Sequence, residues 1–202
     1  FQPPRGPELD VTMRGGGPWE AGEWTDDTAM AIAIAEVAAI GADLRDDAAQ
    51  DAIVVRWREW SHGAKDVGIQ TSSVLRAAVI GGVITAERAR AASTQLHQRT
   101  GRSAGNGSLM RTAPVALAYL DDEAAMVEAA RANRPLTHFD PAPGDACVPG
   151  CRATRHAPLT GALTLSPRFL AEALPGLPQA GRPEAGLPAR RVVSGLGWGD
   201  LV

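Results

Sequence analysis

The stretch Thr25-Asp26-Asp27-Thr28 carries the residues of this chain that are best suited to chemistry. Two adjacent carboxylates between two hydroxyls lead directly into the apolar segment 29–35. Because an unpaired carboxylate is costly to bury, these groups need compensating positive charge. A helix N-terminus supplies part of that charge through its free N–H groups, and a bound cation would supply the rest.

Thr25, Asp26 and Asp27 all offer hard oxygen donors, which favour Mg²⁺, Mn²⁺ or Ca²⁺ over zinc. Neighbouring helix residues point about 100° apart, so the two aspartates are poorly placed to act as one bidentate clamp. They are expected to serve two metal ions, or one metal ion and a hydrogen-bonded partner. The alternative is that Thr25 or Asp26 simply caps the helix.

A second candidate is the glycine-rich loop 103–111. Gly105 and Gly107 allow a close approach of the backbone to a ligand, and Asn106 and Ser108 add hydrogen-bonding groups. Arg111 could bind a phosphate with two parallel hydrogen bonds, and backbone N–H groups that lead into a helix form an anion site. The alternative is an ordinary turn. The spacing matches neither a Walker loop nor a dinucleotide fingerprint.

A third candidate is His138, which precedes a proline-rich turn. Its imidazole could donate a hydrogen bond to a hydroxyl or phosphate oxygen. The alternative is a surface histidine without a role.

Composition limits the classes of protein that fit. The chain of 202 residues is long enough for one domain with a sizeable core, and much of its 45% hydrophobic share is alanine, which favours closely packed helices. A net charge of −3 argues against nucleic-acid binding. No apolar run reaches membrane-spanning length and no signal peptide is evident, so we expect a cytoplasmic protein without a membrane partner. Cys147 and Cys151 form no disulfide framework, and a zinc site with His138 and His156 is a minor alternative.

Periodicity and caps predict an all-α protein, with helices over 28–40, 47–61, 73–80, 86–98, 113–119 and 122–132. The near-uniform apolarity of the first predicts a helix surrounded by other elements. Nine of the fifteen prolines lie between Pro141 and Pro188, a density that predicts no long regular helix there. We therefore expect a helical domain over 1–165 and an irregular tail over 166–202.

Taken together and in this order, these motifs resemble the ADP-ribosylglycohydrolase family, which includes the dinitrogenase reductase-activating glycohydrolases. The resemblance runs from about Met13 to Gly161 and rests on Met13-Arg14-Gly15-Gly16-Gly17, Gly22 to Met30, Gly105 to Arg111, and Thr137-His138. Arg155-His156-Ala157-Pro158-Leu159-Thr160-Gly161 is a looser similarity.

The resemblance implies an orthogonally packed helical bundle with a binuclear magnesium centre. It implies hydrolysis of the glycosidic bond that joins ADP-ribose to a protein side chain, so the expected partner is an ADP-ribosylated protein or ADP-ribose. By this resemblance Thr25, Asp26 and Asp27 hold Mg²⁺, with Mn²⁺ as an alternative, and Asp26 or Asp27 orients the attacking water. Asn106, Gly107, Ser108, Met110, Arg111 and His138 would bind the ADP-ribose.

Two motifs of that family are not found in this sequence: an upstream Gly-Asp-Ala-Leu-Gly stretch with a following glutamate, and a C-terminal Asp-x-Asp-Thr segment that supplies further metal ligands. We therefore expect a chain truncated at both ends relative to the family, with a partner chain that supplies the missing segments as one alternative. A second metal ion would lack half of its ligands. This leaves open an inactive ADP-ribose-binding protein, and an all-α isoprenoid synthase is a remoter alternative.

Overall fold

The computed structural model describes residues 15–101, 103, 105–139 and 146–161. All regular elements in these ranges are helical: α1 Asp26–Ala39, α2 Asp47–Trp60, α3 Ile69–Ala77, α4 Ala86–Thr100, α5 Ala113–Ala118, α6 Glu123–Asn133 and α7 Cys147–Thr160. Short 3₁₀ turns cover Asn106–Ser108 and Arg134–Leu136. The prediction of an all-α fold is confirmed. The predicted tail over 166–202 lies outside the described residues.

Helix α1 packs against α2 and α5 through a single apolar face. Met30, Ala33, Ile34 and Val37 are buried on that face, whereas Ile40, just after the helix, is 78% exposed. The prediction that α1 is surrounded on all sides was therefore wrong. Alanine side chains are small, so they raise the mean apolarity of the helix without having to be buried. Apolarity alone therefore overestimated how much of α1 is covered by other elements.

Helix α2 packs one face into the core. Ile53 and Trp57 are completely buried, and the indole Nε1 of Trp57 donates to the carbonyl oxygen of Met30 at 3.0 Å. This bond fixes α2 against α1 close to the first turn of α1. Trp60, the last residue of α2, is only partly buried and is directed to the surface cleft described below.

Helices α4, α5 and α6 agree with the predicted helices to within two residues because local signals set their ends. The Thr85 hydroxyl accepts from the Arg88 N–H at 3.3 Å, and the Asp122 carboxylate accepts from the Ala125 N–H at 2.9 Å. Gly101 ends α4 with a φ of 63°, a conformation that favours glycine. No helix in the described ranges is long and apolar enough to cross a lipid bilayer.

Two helices differ from the sequence prediction. Helix α3 begins at Ile69 rather than near Ser73, because Gly68 is the N-cap and the Ser73 hydroxyl donates back to the Ile69 carbonyl within the helix. Helix α7 forms despite the prolines that were expected to prevent it. Pro149 is the third helical residue, where a missing N–H costs nothing, and Pro158 falls in the last turn, where it costs one bond.

Candidate functional site

The N-terminus of α1 presents the acidic residues at the surface. Thr25 is the N-cap residue and is exposed, but its side chain makes no capping hydrogen bond. Asp26 and Asp27 are the first two helical residues, Asp26 half-buried and Asp27 exposed. The interpretation of this motif as a side-chain cap is therefore not supported. The Asp26 carboxylate instead interacts with Asp27 and with the N–H of Gly68.

The carboxylates at this helix end disfavour one another's charge. Burial, together with the adjacent Asp27 carboxylate, raises the pKa of Asp26, and N–H groups of Asp27 and Gly68 offset this only in part. Burial and the charge of Asp26 likewise raise the pKa of Asp66, which follows α2 in the chain. Three carboxylates thus meet at one end of α1, and the raised pKa values of Asp26 and Asp66 indicate that local positive charge does not balance them.

The nearest lysine does not provide that balance. The ammonium group of Lys65 donates to the Glu23 carboxylate at 2.7 Å and to the Pro18 carbonyl at 3.0 Å. The oxygen donors at α1 match the chemistry of a hard divalent cation. Within the described ranges, however, no three histidine, cysteine, aspartate or glutamate side chains are grouped closely enough to hold a metal ion. The described residues therefore do not form a closed metal site by themselves.

A cleft of about 400 Å³ opens directly beside the acidic residues. Its wall includes Thr25 of the acidic motif, and three of the chain's five tryptophans lie around it together with charged side chains: Trp19, Trp24, Trp60, Glu23, Lys65 and Asp66. Trp24 is 60% exposed. Trp19 is held by a tight turn in which Gly16 and Trp19 exchange backbone hydrogen bonds of 3.1 Å. This cleft can receive a flat or apolar group next to the carboxylates.

The first turn of α3 connects the acidic residues to the glycine-rich loop. A Cβ atom placed on Gly68 would lie 3.8 Å from Oδ2 of Asp26, so α3 begins against that carboxylate. Two residues later, the side-chain amide of Gln70 donates to the carbonyls of Ser103 and Thr137 at 3.1 and 3.0 Å. The start of α3 therefore contacts both the acidic residues and the loops around His138.

The glycine-rich loop lies directly on His138. A Cβ atom on Gly107 would stand 2.5 Å from Cε1 of His138, and one on Gly105 would stand 3.4 Å from Nε2. The sequence predicted that these glycines allow a close approach to a ligand. The structure shows that the group they accommodate is the imidazole itself, which is only 5% exposed. The glycine-rich loop therefore packs on His138, which is buried and is not a surface residue.

Arg111 lies in the core and not at the surface. Its guanidinium is completely buried, 4.0 Å above the ring centroid of Trp57, and donates to Thr137 Oγ1 at 2.6 Å and to the Asn133 carbonyl at 3.4 Å. Burial lowers the pKa of Arg111 to about 9. The prediction that Arg111 binds a phosphate bidentately is wrong for this arrangement, because the side chain is turned inward, away from solvent.

The other predicted loop residues divide between surface and interior. Asn106 is exposed, whereas Met110 is half-buried against the core. Ser108 is buried, and its hydroxyl accepts from the thiol of Cys147 at 3.4 Å. The two cysteines share the buried face of α7. The zinc alternative has no support, since no metal-ligating group of this kind occurs in the described ranges.

Sequence reasoning missed three residues of this site: Asp66, Gln70 and Thr137. Asp66 had a usable signal, an acidic residue two positions before the glycine that starts α3. For Gln70, nothing in the sequence indicates that its side-chain amide bonds to two loops. Thr137 was noted only as the neighbour of His138.

The comparison with protein families agrees with this arrangement. The family model described as ADP-ribosylglycohydrolase matches residues 2–197, nearly the whole chain. No curated protein matches the chain. The match covers the acidic start of α1, the loop over His138 and the helices that hold them. The chain therefore belongs to the ADP-ribosylglycohydrolase family.

Proposed function

We propose that this chain hydrolyses the glycosidic bond between ADP-ribose and a modified protein side chain, with the help of Mg²⁺. The observation that carries the proposal is the meeting of Asp26, Asp27 and Asp66 at one helix end beside an open cleft. Glycoside hydrolysis commonly uses one carboxyl group to protonate the leaving group and another to activate water or stabilise positive charge. Carboxyl groups with raised pKa values suit such proton transfers.

Thr25, Asp26 and Asp27 would hold the magnesium ion, or Mn²⁺ in its place, with water molecules filling the remaining positions. When bound, the metal would supply positive charge that polarises the ribose hydroxyls and lowers the pKa of a water molecule. The support for it is chemical: the donors are hard oxygens, and the charge they share is not compensated by Lys65.

The residues of the chain have separate roles in this proposal. Asp26 is half-buried, so its carboxylate would accept a hydrogen bond from the reacting water while it holds the metal ion. Asp27 is exposed and orients that water from the solvent side. Asp66, which also lines the cleft, lies where it can accept a hydrogen bond from the departing side chain.

The ADP-ribose would lie along the start of α3, from the acidic residues towards the glycine-rich loop. Asn106 is exposed there and can hydrogen-bond a ribose or phosphate oxygen. Backbone N–H groups of Gly107 and Ser108 in the 3₁₀ turn add donors of the kind that suit a diphosphate. His138 supplies a side-chain donor at the same loop. The aromatic cleft would receive the protein side chain or the segment around it.

A second candidate function is ADP-ribose binding without turnover. It is favoured by one observation, the lack of a closed group of three metal-ligating side chains in the described ranges. It predicts that ADP-ribose binds but that no ADP-ribose is released from a modified protein.

Hydrolysis is tested by measuring free ADP-ribose released from proteins modified on arginine or on serine, with Mg²⁺ or with EDTA. We expect release that requires Mg²⁺ and falls by about 100-fold or more in Asp26→Asn, the range lost when an acid–base group is removed. Asp47→Asn is the matched control, because Asp47 is the first residue of α2 as Asp26 is of α1. Release that persists with EDTA and in Asp26→Asn would disprove the proposal, and binding without any release would favour the second candidate.

A further inference from the structure

His138 is held by a continuous hydrogen-bonded chain that begins in the core. Arg111 Nη1 donates to Thr137 Oγ1 at 2.6 Å, and Thr137 Oγ1 lies 2.7 Å from His138 Nδ1. Thr137 is completely buried and His138 is 5% exposed. No water is therefore needed to link the three groups, which are contributed by residues 137–138 and by the turn before α5.

The proton positions in this series of hydrogen bonds follow from the donors available. Arginine only donates, so the Thr137 oxygen accepts from Arg111 and still has one hydrogen of its own to place. The buried hydroxyl has His138 Nδ1 as its one recorded acceptor in the described part of the chain. If Nδ1 carried a proton instead, the hydroxyl hydrogen would be left without an acceptor in the interior, which costs about 1–3 kcal/mol. The Thr137 hydroxyl therefore donates to Nδ1.

The other ring nitrogen must then carry the imidazole proton. Burial, with the charges of Arg111 and Arg134, lowers the pKa of His138 to about 3, so the ring is neutral near pH 7. Nε2 lies beneath the two loop glycines: a Cβ atom would be 2.8 Å away at Gly107, which is buried, and 3.4 Å away at Gly105, which is exposed. A fixed N–H donor thus lies directly at the glycine-rich loop.

We propose that Arg111 and Thr137 are positioning residues that hold His138 in one neutral tautomer, with Nε2–H directed at the loop to bind a phosphate or ribose oxygen. The identity of that oxygen rests on the proposed function, whereas the tautomer does not. This assigns Arg111 a role through Thr137 and not through contact with the ligand. It also explains why a buried guanidinium is kept here although its burial is costly.

The tautomer can be read directly by long-range ¹H–¹⁵N correlation NMR of the ¹⁵N-labelled chain near pH 7 without ligand. The chain has four histidines, and His138→Gln identifies the signals of His138. We expect a proton on Nε2 and none on Nδ1. In Thr137→Val or Arg111→Met, we expect signals of both tautomers in exchange, and in Thr137→Ser we expect the wild-type pattern.

Thr154→Val is the control, because the Thr154 hydroxyl donates to the Gly150 carbonyl in α7 and belongs to no contact with His138. It should leave the His138 signals unchanged. A proton on Nδ1 in the wild-type chain, or an unchanged single tautomer in Thr137→Val, would overturn the inference. If Arg111→Met gives no cooperative melt, Thr137→Val carries the test. Failure here is distinct from failure of the proposed function, which is measured by ADP-ribose release.

Discussion

The acidic residues at the start of α1 and the chain of Arg111, Thr137 and His138 hold their charged groups in opposite ways. At α1 the carboxylates lie near the surface, and partial burial together with neighbouring carboxylates raises the pKa of Asp26 and of Asp66, so negative charge is left uncompensated. Around Arg111 a positive charge is buried, yet an indole ring, a hydroxyl and a carbonyl surround it. The first region leaves carboxylate charge without a basic partner, whereas the second surrounds its guanidinium with groups of the chain and leaves only Nε of Arg111 without a hydrogen-bond partner.

Asp43 shows that the difference is not a property of aspartate itself. Hydrogen bonds from Arg45 and from the Tyr119 hydroxyl hold the pKa of Asp43 well below its usual range. Asp43 is a structural aspartate whose charge is satisfied locally. The pKa of Asp26 is instead raised by burial and by Asp27, which fits the binding or catalytic role proposed for it.

The largest loss of stability in the region around Arg111, Thr137 and His138 is expected from Gly107→Ala. The new Cβ would stand 2.5 Å from the His138 ring, so either the loop or the imidazole must move. Overpacking of this kind typically costs about 1–3 kcal/mol, which should appear as a lower denaturation midpoint. Gly63→Ala is the matched control, since nothing lies within 4 Å of its Cβ position. Equal stability of the two variants would contradict the packing of the loop on His138.

A smaller effect is expected from the pH dependence of His138. Its pKa of about 3 in the folded protein lies below the ordinary value of 6.5. The unfolded chain therefore takes up this proton first as the pH falls, and the stability gained by keeping the ring neutral is present above pH 6.5 and is lost towards pH 3. The loss is about 1.4 kcal/mol per pH unit in that window.

Urea unfolding at pH 7 and pH 5 measures this effect as the difference between wild type and His138→Gln. We expect the wild type to lose about 2 kcal/mol more than the variant over this range. His62→Gln is the control, because His62 is exposed and its replacement removes no buried ring. If His138→Gln keeps the wild-type pH dependence, the ring is not held neutral by burial.

The sequence predicted the features that depend on residues close together along the chain. Thr85 and Asp122 cap their helices with their own side chains, and Gly101 ends α4, so these boundaries could be found without a structure. The motif at Thr25 to Asp27 was also identified, because a polar cluster before an apolar helix is visible in the sequence.

The rest depended on contacts between distant parts of the chain. Arg111 is 54 positions from Trp57, and nothing near either residue indicates that the guanidinium lies on the indole ring. Asp66 joins the acidic residues only because α2 returns the chain to the start of α1. Helix α7 formed because the cost of its prolines depends on their place within the helix, which their number alone does not reveal.

The most direct test of the account is the thermal unfolding midpoint with and without Mg²⁺ plus ADP-ribose. The account predicts a higher midpoint for the wild type, since ligands at 100 times their dissociation constant add about 2.7 kcal/mol. Asp26→Asn should lose this rise, and Asp47→Asn should keep it. A cooperative wild-type transition at the same midpoint with and without both ligands would contradict the claim that the acidic end of α1 is completed by a metal ion and its substrate.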